Sequence, residues 1–339
     1  MKMNPINFNN LSLVVKLMGM GILLSALPGC EDGDDSYVGN WVNLGDFEGV
    51  TRSDAVSFTI GDKSYIATGY QGDEDKRLKD LWEYDPHNDS WTQKADFPGI
   101  ARNAATAFGT STHGYVGTGF DGNNELSDFW EYNPATDSWR QIDDFPGTAR
   151  YGAIAFPLND KGFVGTGYDG KFLKDIWMYD PDTEKWSQVC SVGGSKRKDA
   201  VAFVIDGLAY VCGGINNGIY ESDFWRYDPE ADSWKELRHI ENRTDESFDD
   251  EYTSIVGSGN VAFVAEHKAY LVTTRNNVWE YNPDLDLWKQ RTSFEGTSRN
   301  EFVSFALNDR GYVATGRSGA SYYDDVWVFY PESDYEEFD

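Results

Sequence analysis

The sequence predicts an all-β protein assembled from six copies of one four-stranded unit, on three observations. First, one motif recurs along the chain as LWEYDPHNDSW, FWEYNPATDSW, IWMYDPDTEKW, FWRYDPEADSW and VWEYNPDLDLW, with a sixth copy, VWVFYPES, that stops short. Second, the two tryptophans of each complete copy stand nine residues apart (Trp82/Trp91, Trp130/Trp139, Trp177/Trp186, Trp225/Trp234, Trp279/Trp288), while Trp327 has no partner after it. Third, an upstream aromatic pair keeps a spacing of seven residues in all six copies: Phe58/Tyr65, Phe108/Tyr115, Phe156/Phe163, Phe203/Tyr210, Phe263/Tyr270 and Phe305/Tyr312.

Each element follows from local chemistry. Between the paired tryptophans, Asp-Pro or Asn-Pro and polar residues interrupt an aromatic and polar alternation, which reads as two short strands joined by a proline-initiated turn. Upstream stretches such as RNAATAFGTSTHGYVGTG and RYGAIAFPLNDKGFVGTG read as a second hairpin that stops at Thr-Gly or Gly-Gly. Two hairpins repeating with a period of about 48 residues make one propeller blade. The glycine pair or its Thr-Gly variant, followed by Tyr, six residues and Trp, resembles the kelch family from Trp41 to the C-terminus. That resemblance implies a β-propeller of about four to eight blades. The copies count six.

One segment, NWVNLGDFEGVTR, precedes the first complete copy. Aligned on its tryptophan it matches SWTQKADFPGIAR, SWRQIDDFPGTAR and LWKQRTSFEGTSR, so Trp41 supplies the outer-strand tryptophan that the sixth copy lacks. Pairing this N-terminal strand with the last blade closes the ring and removes an unpaired sheet edge. All twelve tryptophans are thereby structural. The expected organisation is a leader over 1–29, an acidic tether over 30–39, the propeller over 40–331 and an acidic tail over 332–339.

The leader places Lys2 and Lys16 before an apolar run, LMGMGILLSALPG, too short to span a bilayer as a mature helix. LPGC, ending at Cys30, resembles a bacterial lipoprotein signal, which implies acylation of Cys30 and attachment to the outer membrane through the lipid alone. EDGDDS after the cysteine is similar to the export tag of some surface lipoproteins, although a solvated tether would use the same residues. The formal net charge is −28, and −30 once Lys2 and Lys16 leave with the leader. Nucleic acid and anionic headgroups would be repelled. Cys190 and Cys212 remain, either as a disulfide or as two separately buried thiols.

Residues repeated in every blade are expected to be structural, and unrepeated ones to be available for function. Arg52, Arg102, Arg150, Arg197 and Arg299 each lie eleven residues after an outer tryptophan. As a convergent set they would bind an anionic sugar or carboxylate at the mouth of the ring. Against this, Asp80, Asp128, Asp175, Asp223 and Asp325 stand two residues before the inner tryptophans of the same five blades, and the fifth blade lacks both, with Gly257 and Asn277 in their places. This joint absence favours structural pairing.

The fifth blade also carries twelve extra residues within ENRTDESFDDEYTSIV. Its Asp249, Asp250 and Tyr252 are candidates to cap the channel, meet a partner or hold calcium. Loops on the same face supply Phe172, Tyr220, Arg275, Arg317, Tyr322 and Tyr323 for glycan or protein contact. Of the four histidines only His239 is expected near that face, which argues against a copper radical oxidase, a zinc cluster or a Ser-His-Asp triad. The expectation is a monomeric, cofactor-free lipoprotein, a kelch scaffold for a glycan or protein. The alternative is a sugar mutarotase or epimerase resembling sialic-acid mutarotases, using the arginine mouth and nearby carboxylates.

Overall fold

A computed structural model describes residues 38–336; the leader, Cys30 and most of the tether lie outside the described residues. Six four-stranded antiparallel sheets form the blades of a ring. In blade 1 the strands run from inside to outside as Val56–Ile60, Lys63–Ala67, Leu81–Asp85 and Ser90–Lys94. Blades 2 to 5 repeat this, their innermost strands being Thr106–Gly109, Ile154–Leu158, Val201–Ile205 and Val261–Ala265. Innermost strands of successive blades pack side by side around a central channel.

The seven-residue aromatic spacing becomes a cross-strand pair. Phe58 faces Tyr65 and Phe305 faces Tyr312 directly across the inner hairpin, as do the four pairs between them. The rings stack at 4.7 to 5.5 Å with planes 6° to 17° apart. Such pairs contribute roughly 0.5–1.5 kcal/mol each beyond the area they bury. Neighbouring blades interlock on the same rings: a Cβ on Gly114, Gly162 or Gly311 would come within 2.1 Å of Phe58, Phe108 or Phe263 of the blade before it.

Ring closure is carried by the N-terminal strand. Val38–Asp46 pairs antiparallel with Asp325–Asp334, the outer neighbour of Arg310–Ala314 and Val303–Leu307 in blade 6. Trp41 opposes Phe329 in the register that puts Trp91 opposite Tyr84 and Trp139 opposite Tyr132. Its indole N–H donates to the Thr292 carbonyl of the preceding blade, as Trp139, Trp186 and Trp234 donate to Ala95, Asp143 and Cys190. Trp41 is fully buried. The paired strand extends to Asp334, three residues past 331.

A wedge residue fills each junction between blades. Phe47, Phe97 and Phe145 each pack edge-on against both tryptophans of the following hairpin, at 4.8 to 6.3 Å. Phe294 does the same with Trp327 and Trp41. These residues lie five positions before the repeated arginines, and counting back five from Gly257 in blade 5 reaches Tyr252.

The expectation that Tyr252 serves as an exposed contact is therefore corrected. It is 1% exposed, lies edge-on to Trp279, donates to the Trp288 carbonyl and accepts the Trp288 N–H. Among the described residues both cysteines are free, and the expectation of two buried thiols holds only for Cys212, since Cys190 is exposed.

Candidate functional site

The repeated arginines come first because the chain's strongest motif leads to them. All five are 2% exposed or less. In each, Nε donates to the carbonyl two residues back, and Nη1 donates to the carbonyl just past the second strand: Thr68, Thr118, Thr166, Gly213 or Thr315. Arg52 forks onto Asp80 at 2.8 and 2.6 Å and Arg150 onto Asp175 at 2.7 and 2.9 Å. Arg299 forks onto Asp325, while Arg102 and Arg197 reach Asp128 and Asp223 at 2.7 and 2.6 Å.

The same carboxylate accepts the indole N–H of Trp82, Trp130, Trp177, Trp225 or Trp327. Four of the guanidiniums also lie over the wedge phenylalanine, 4.7 to 5.3 Å from its centroid. Burial pushes Asp80, Asp128, Asp175 and Asp325 up, but the arginine's hydrogen bonds and charge outweigh it and hold these carboxyls below their ordinary value. The arginines are interior rivets. The reading of Arg52, Arg102, Arg150, Arg197 and Arg299 as a ligand-facing mouth is corrected, because every guanidinium is buried and bonded to a carboxylate and carbonyls around it.

What does face the channel is the residue two positions further on. Asp54, Ala104, Gly152, Asp199, Gly259 and Glu301 all take left-handed backbone, with φ between +48° and +71°. The N–H of each of the first five meets the carbonyl of the equivalent residue in the preceding blade: Asp54 to Glu301 at 2.9 Å, Ala104 to Asp54 at 3.0 Å, Gly152 to Ala104 at 3.1 Å, Asp199 to Gly152 at 2.9 Å and Gly259 to Asp199 at 3.2 Å. This chain of five bonds runs round the channel mouth from blade 6 to blade 5. Left-handed backbone at a side-chain-bearing residue such as Glu301 costs of order 1 kcal/mol and is common where a site is pre-organised.

Above this ring opens a cavity of about 680 Å³. Its walls carry the carboxylates Asp54, Glu125, Asp199 and Glu301, the amides Asn103, Asn260 and Asn300, and the rings of Phe120, Tyr151 and Phe302. A second cavity of about 370 Å³, walled mostly by alanines and other innermost-strand residues, continues down the axis. Tied arginines and an open channel therefore coexist.

The cations at the mouth are engaged. Arg317 forks onto Glu301 at 2.5 and 2.6 Å, Lys198 meets Asp199 at 2.9 Å, and the Arg77 Nε donates to Asn103 Oδ1 at 2.8 Å. Asn103 in turn donates to Asp54 at 3.0 Å. Burial, and then the negative charge of Glu301, push the Asp54 carboxyl up to about 7. Hydrogen bonds and charge from Arg317 overcome burial at Glu301 and hold it below its ordinary value. Burial also raises Asp199, partly offset by Lys198.

The other expected contacts scatter. Phe172 and Tyr322 lie at the rim around this cavity, beside Tyr168 and Tyr70, and Arg317 is tied to its wall through Glu301. Tyr220 stands exposed opposite Ile215, at the open end of the short hairpin Ile215–Asn216/Ile219–Tyr220 in blade 4. Arg275 is exposed, and Tyr323 lies under the Arg299 guanidinium, 4.3 Å from it, as part of a rivet. Asp249 is buried and accepts the N–H groups of Arg243 and Thr244, so it shapes its own loop. Asp250 is exposed. No residue of 245–256 lines the mouth, which corrects the expected channel cap. Among the described residues no cluster of three or more His, Cys, Asp or Glu is arranged to hold a metal.

Asp54, Asn103, Tyr151, Lys198, Asp199, Asn300 and Glu301 were not singled out by sequence. The signal was present: they occupy the first and second positions after the repeated arginine, where the blades differ beside a residue that five of them share.

A closed six-bladed ring with riveted blades and an open, polar mouth defines the class of protein. The fold is a kelch-type propeller, and the Kelch motif family matches residues 119–146, 166–189 and 196–239, in blades 2, 3 and 4. Among solved structures, one titled "Structure of YjhT" aligns with a TM-score of 0.69 at 16% identity, covering 84% of this chain and 96% of that one. At that identity the likeness is one of fold. A search of curated proteins by sequence returns no match.

Proposed function

We propose that this protein is a bacterial outer-membrane lipoprotein, anchored through Cys30 and displayed at the cell surface, whose propeller binds a glycan at the channel mouth without catalysis. The observation that carries the reading is the division of labour among repeats. Arginines common to five blades are consumed inside, while unrepeated carboxylates, amides and rings converge on one cavity. Carboxylate and amide groups held in fixed geometry suit vicinal hydroxyls, and aromatic faces suit the C–H faces of pyranose rings. With Arg317 and Lys198 already paired and four carboxylates in the wall, the site favours a neutral or amine-bearing sugar over an acidic one.

The test is a glycan array followed by calorimetry on the mature protein. Asn103→Ala, which removes the side chain that bridges Arg77 and Asp54, is expected to weaken binding at least about tenfold. Binding of no glycan sinks the reading. For the anchor, a lipid label should follow the protein into the membrane and be lost in Cys30→Ser.

A second reading, a sugar mutarotase or epimerase, draws on one observation. Asp54, pushed up to about 7 beside Glu301, has the proton affinity of a general acid or base at neutral pH. Proton NMR of anomer exchange in neutral aldoses tests it; exchange unaltered by the protein eliminates this reading.

A further inference from the structure

The rim of the mouth carries a feature that neither the repeat nor the channel explains. Six half-buried rings follow one another across blades 6, 1, 2 and 3: Tyr322, Tyr70, Phe120, Tyr151, Tyr168 and Phe172. Tyr322 and Tyr70 lie 6.1 Å apart, Phe120 and Tyr151 5.7 Å, Tyr151 and Tyr168 5.6 Å, and Tyr168 and Phe172 5.1 Å. The one gap is bridged by Arg77, whose guanidinium lies 5.4 Å from the centroids of both Tyr70 and Phe120.

The fold places these rings but does not require them. Tyr70, Phe120 and Tyr168 follow the Thr-Gly pair in blades 1 to 3, and each forms a backbone bridge to the residue after its blade's arginine: Ser53, Asn103 or Tyr151. Blades 4 and 6 make the same bridge with Ile215 and Arg317. The ring side chains are therefore a property of one half of the rim. They are also held in place, since a Cβ on Gly72 would come within 1.9 Å of the Tyr322 ring and one on Gly122 within 2.5 Å of the Arg77 guanidinium. Rings positioned before a ligand arrives lose little entropy on binding.

Resting on the reading that the mouth binds a glycan, we propose that the arc is a row of subsites for a linear oligosaccharide, which enters the mouth with one residue and lies outward over blades 2 and 3. Phe120 and Tyr151 belong to both the cavity wall and the arc, so a chain seated at Asn103 meets Tyr168 and Phe172 next. Ring separations along the arc are comparable with the length of one pyranose unit. Tyrosine hydroxyls at the ring edges add hydrogen bonds at the border of each sugar face.

The experiment is calorimetry of the mature protein with cello-, manno-, xylo- and chito-oligosaccharides of one to six units. The expected result is an affinity that rises about tenfold or more with chain length for one series. In Tyr168→Ala and, separately, Phe172→Ala, that rise should vanish while the shortest ligand binds as before. Asn103→Ala should weaken every length. Equal affinity at all lengths, or arc variants that leave the rise intact, overturns the arc and leaves the mouth reading standing. Failure of every sugar, with a peptide bound instead, overturns both. Phe172 lies in a surface loop outside the blade strands, so its variant reports even if Tyr168→Ala is unstable, and circular dichroism checks each fold.

Discussion

Blade 5 and the other five blades solve one packing problem in two ways. In the five, a buried arginine gathers two backbone carbonyls and a carboxylate, in four of them over a phenylalanine wedge, and the carboxylate takes an indole N–H. In blade 5 the arginine and aspartate are replaced by Gly257 and Asn277, and the indole N–H groups of Trp279 and Trp288 find no acceptor. Substitutes take over the mechanical work. Asn260 bonds the Ile255 carbonyl at 3.0 Å, Asn276 bonds the carbonyls of Phe294 and Gly296 at 3.0 and 2.7 Å, and Tyr252 supplies the wedge. The rivet is thus a cooperative unit, lost whole, since an arginine or aspartate left alone in that place would be a buried uncompensated charge.

The comparison can be broken most forcefully at blade 3. Arg150→Ala strands Asp175 beside buried carbonyls and should cost about 3 kcal/mol or more in urea unfolding. Adding Asp175→Asn, which supplies the residue found in blade 5, should recover part of that loss. Additive losses would show that the pair is not a unit. Next in size, Tyr252→Phe keeps the wedge but removes both bonds to Trp288 and should cost roughly 1–3 kcal/mol. If it costs nothing, the wedge acts through shape alone.

A smaller contrast lies between tryptophans. Trp177→Phe deletes a bond to Asp175, whereas Trp279→Phe deletes a buried N–H that has no acceptor, so the first should destabilise by about 1 kcal/mol more than the second.

A last contrast lies in pH dependence. Asp54 is raised to about 7 from an ordinary 3.8, so the folded chain holds its proton where the unfolded chain has lost it. Its contribution is complete below about pH 4 and falls as pH rises through about 7. The melting temperature of Asp54→Asn should therefore gain on the parent from pH 4 to 7 and run parallel above 8. Rivet aspartates have the opposite sign: their depressed carboxyls stabilise above the ordinary value and lose that contribution as pH falls. A parent and Asp54→Asn pair with parallel curves throughout would mean that Asp54 is not raised.

Most of the fold was legible because its signals are local and repeated. The seven-residue spacing is a hairpin in register, the nine-residue spacing is a second hairpin, and the displaced Trp41 announces the missing partner of Trp327. Even the rivets could be anticipated, since arginine and aspartate vanish together in one blade. The insert misled because it was read outward from its acidic residues, whereas alignment backward from Gly257 puts Tyr252 in the core.

By itself, then, the sequence determined the number of blades, their internal register and the strand that closes them, since strand pairing and alternation act over a few residues and recur six times. Only the tertiary structure decided what the mouth is made of. Asp54, Asn103, Asp199 and Glu301 lie one or more blades apart along the chain, and nothing local records that they meet. Their convergence follows from the closed ring, which turns one position per blade into neighbours around a common axis.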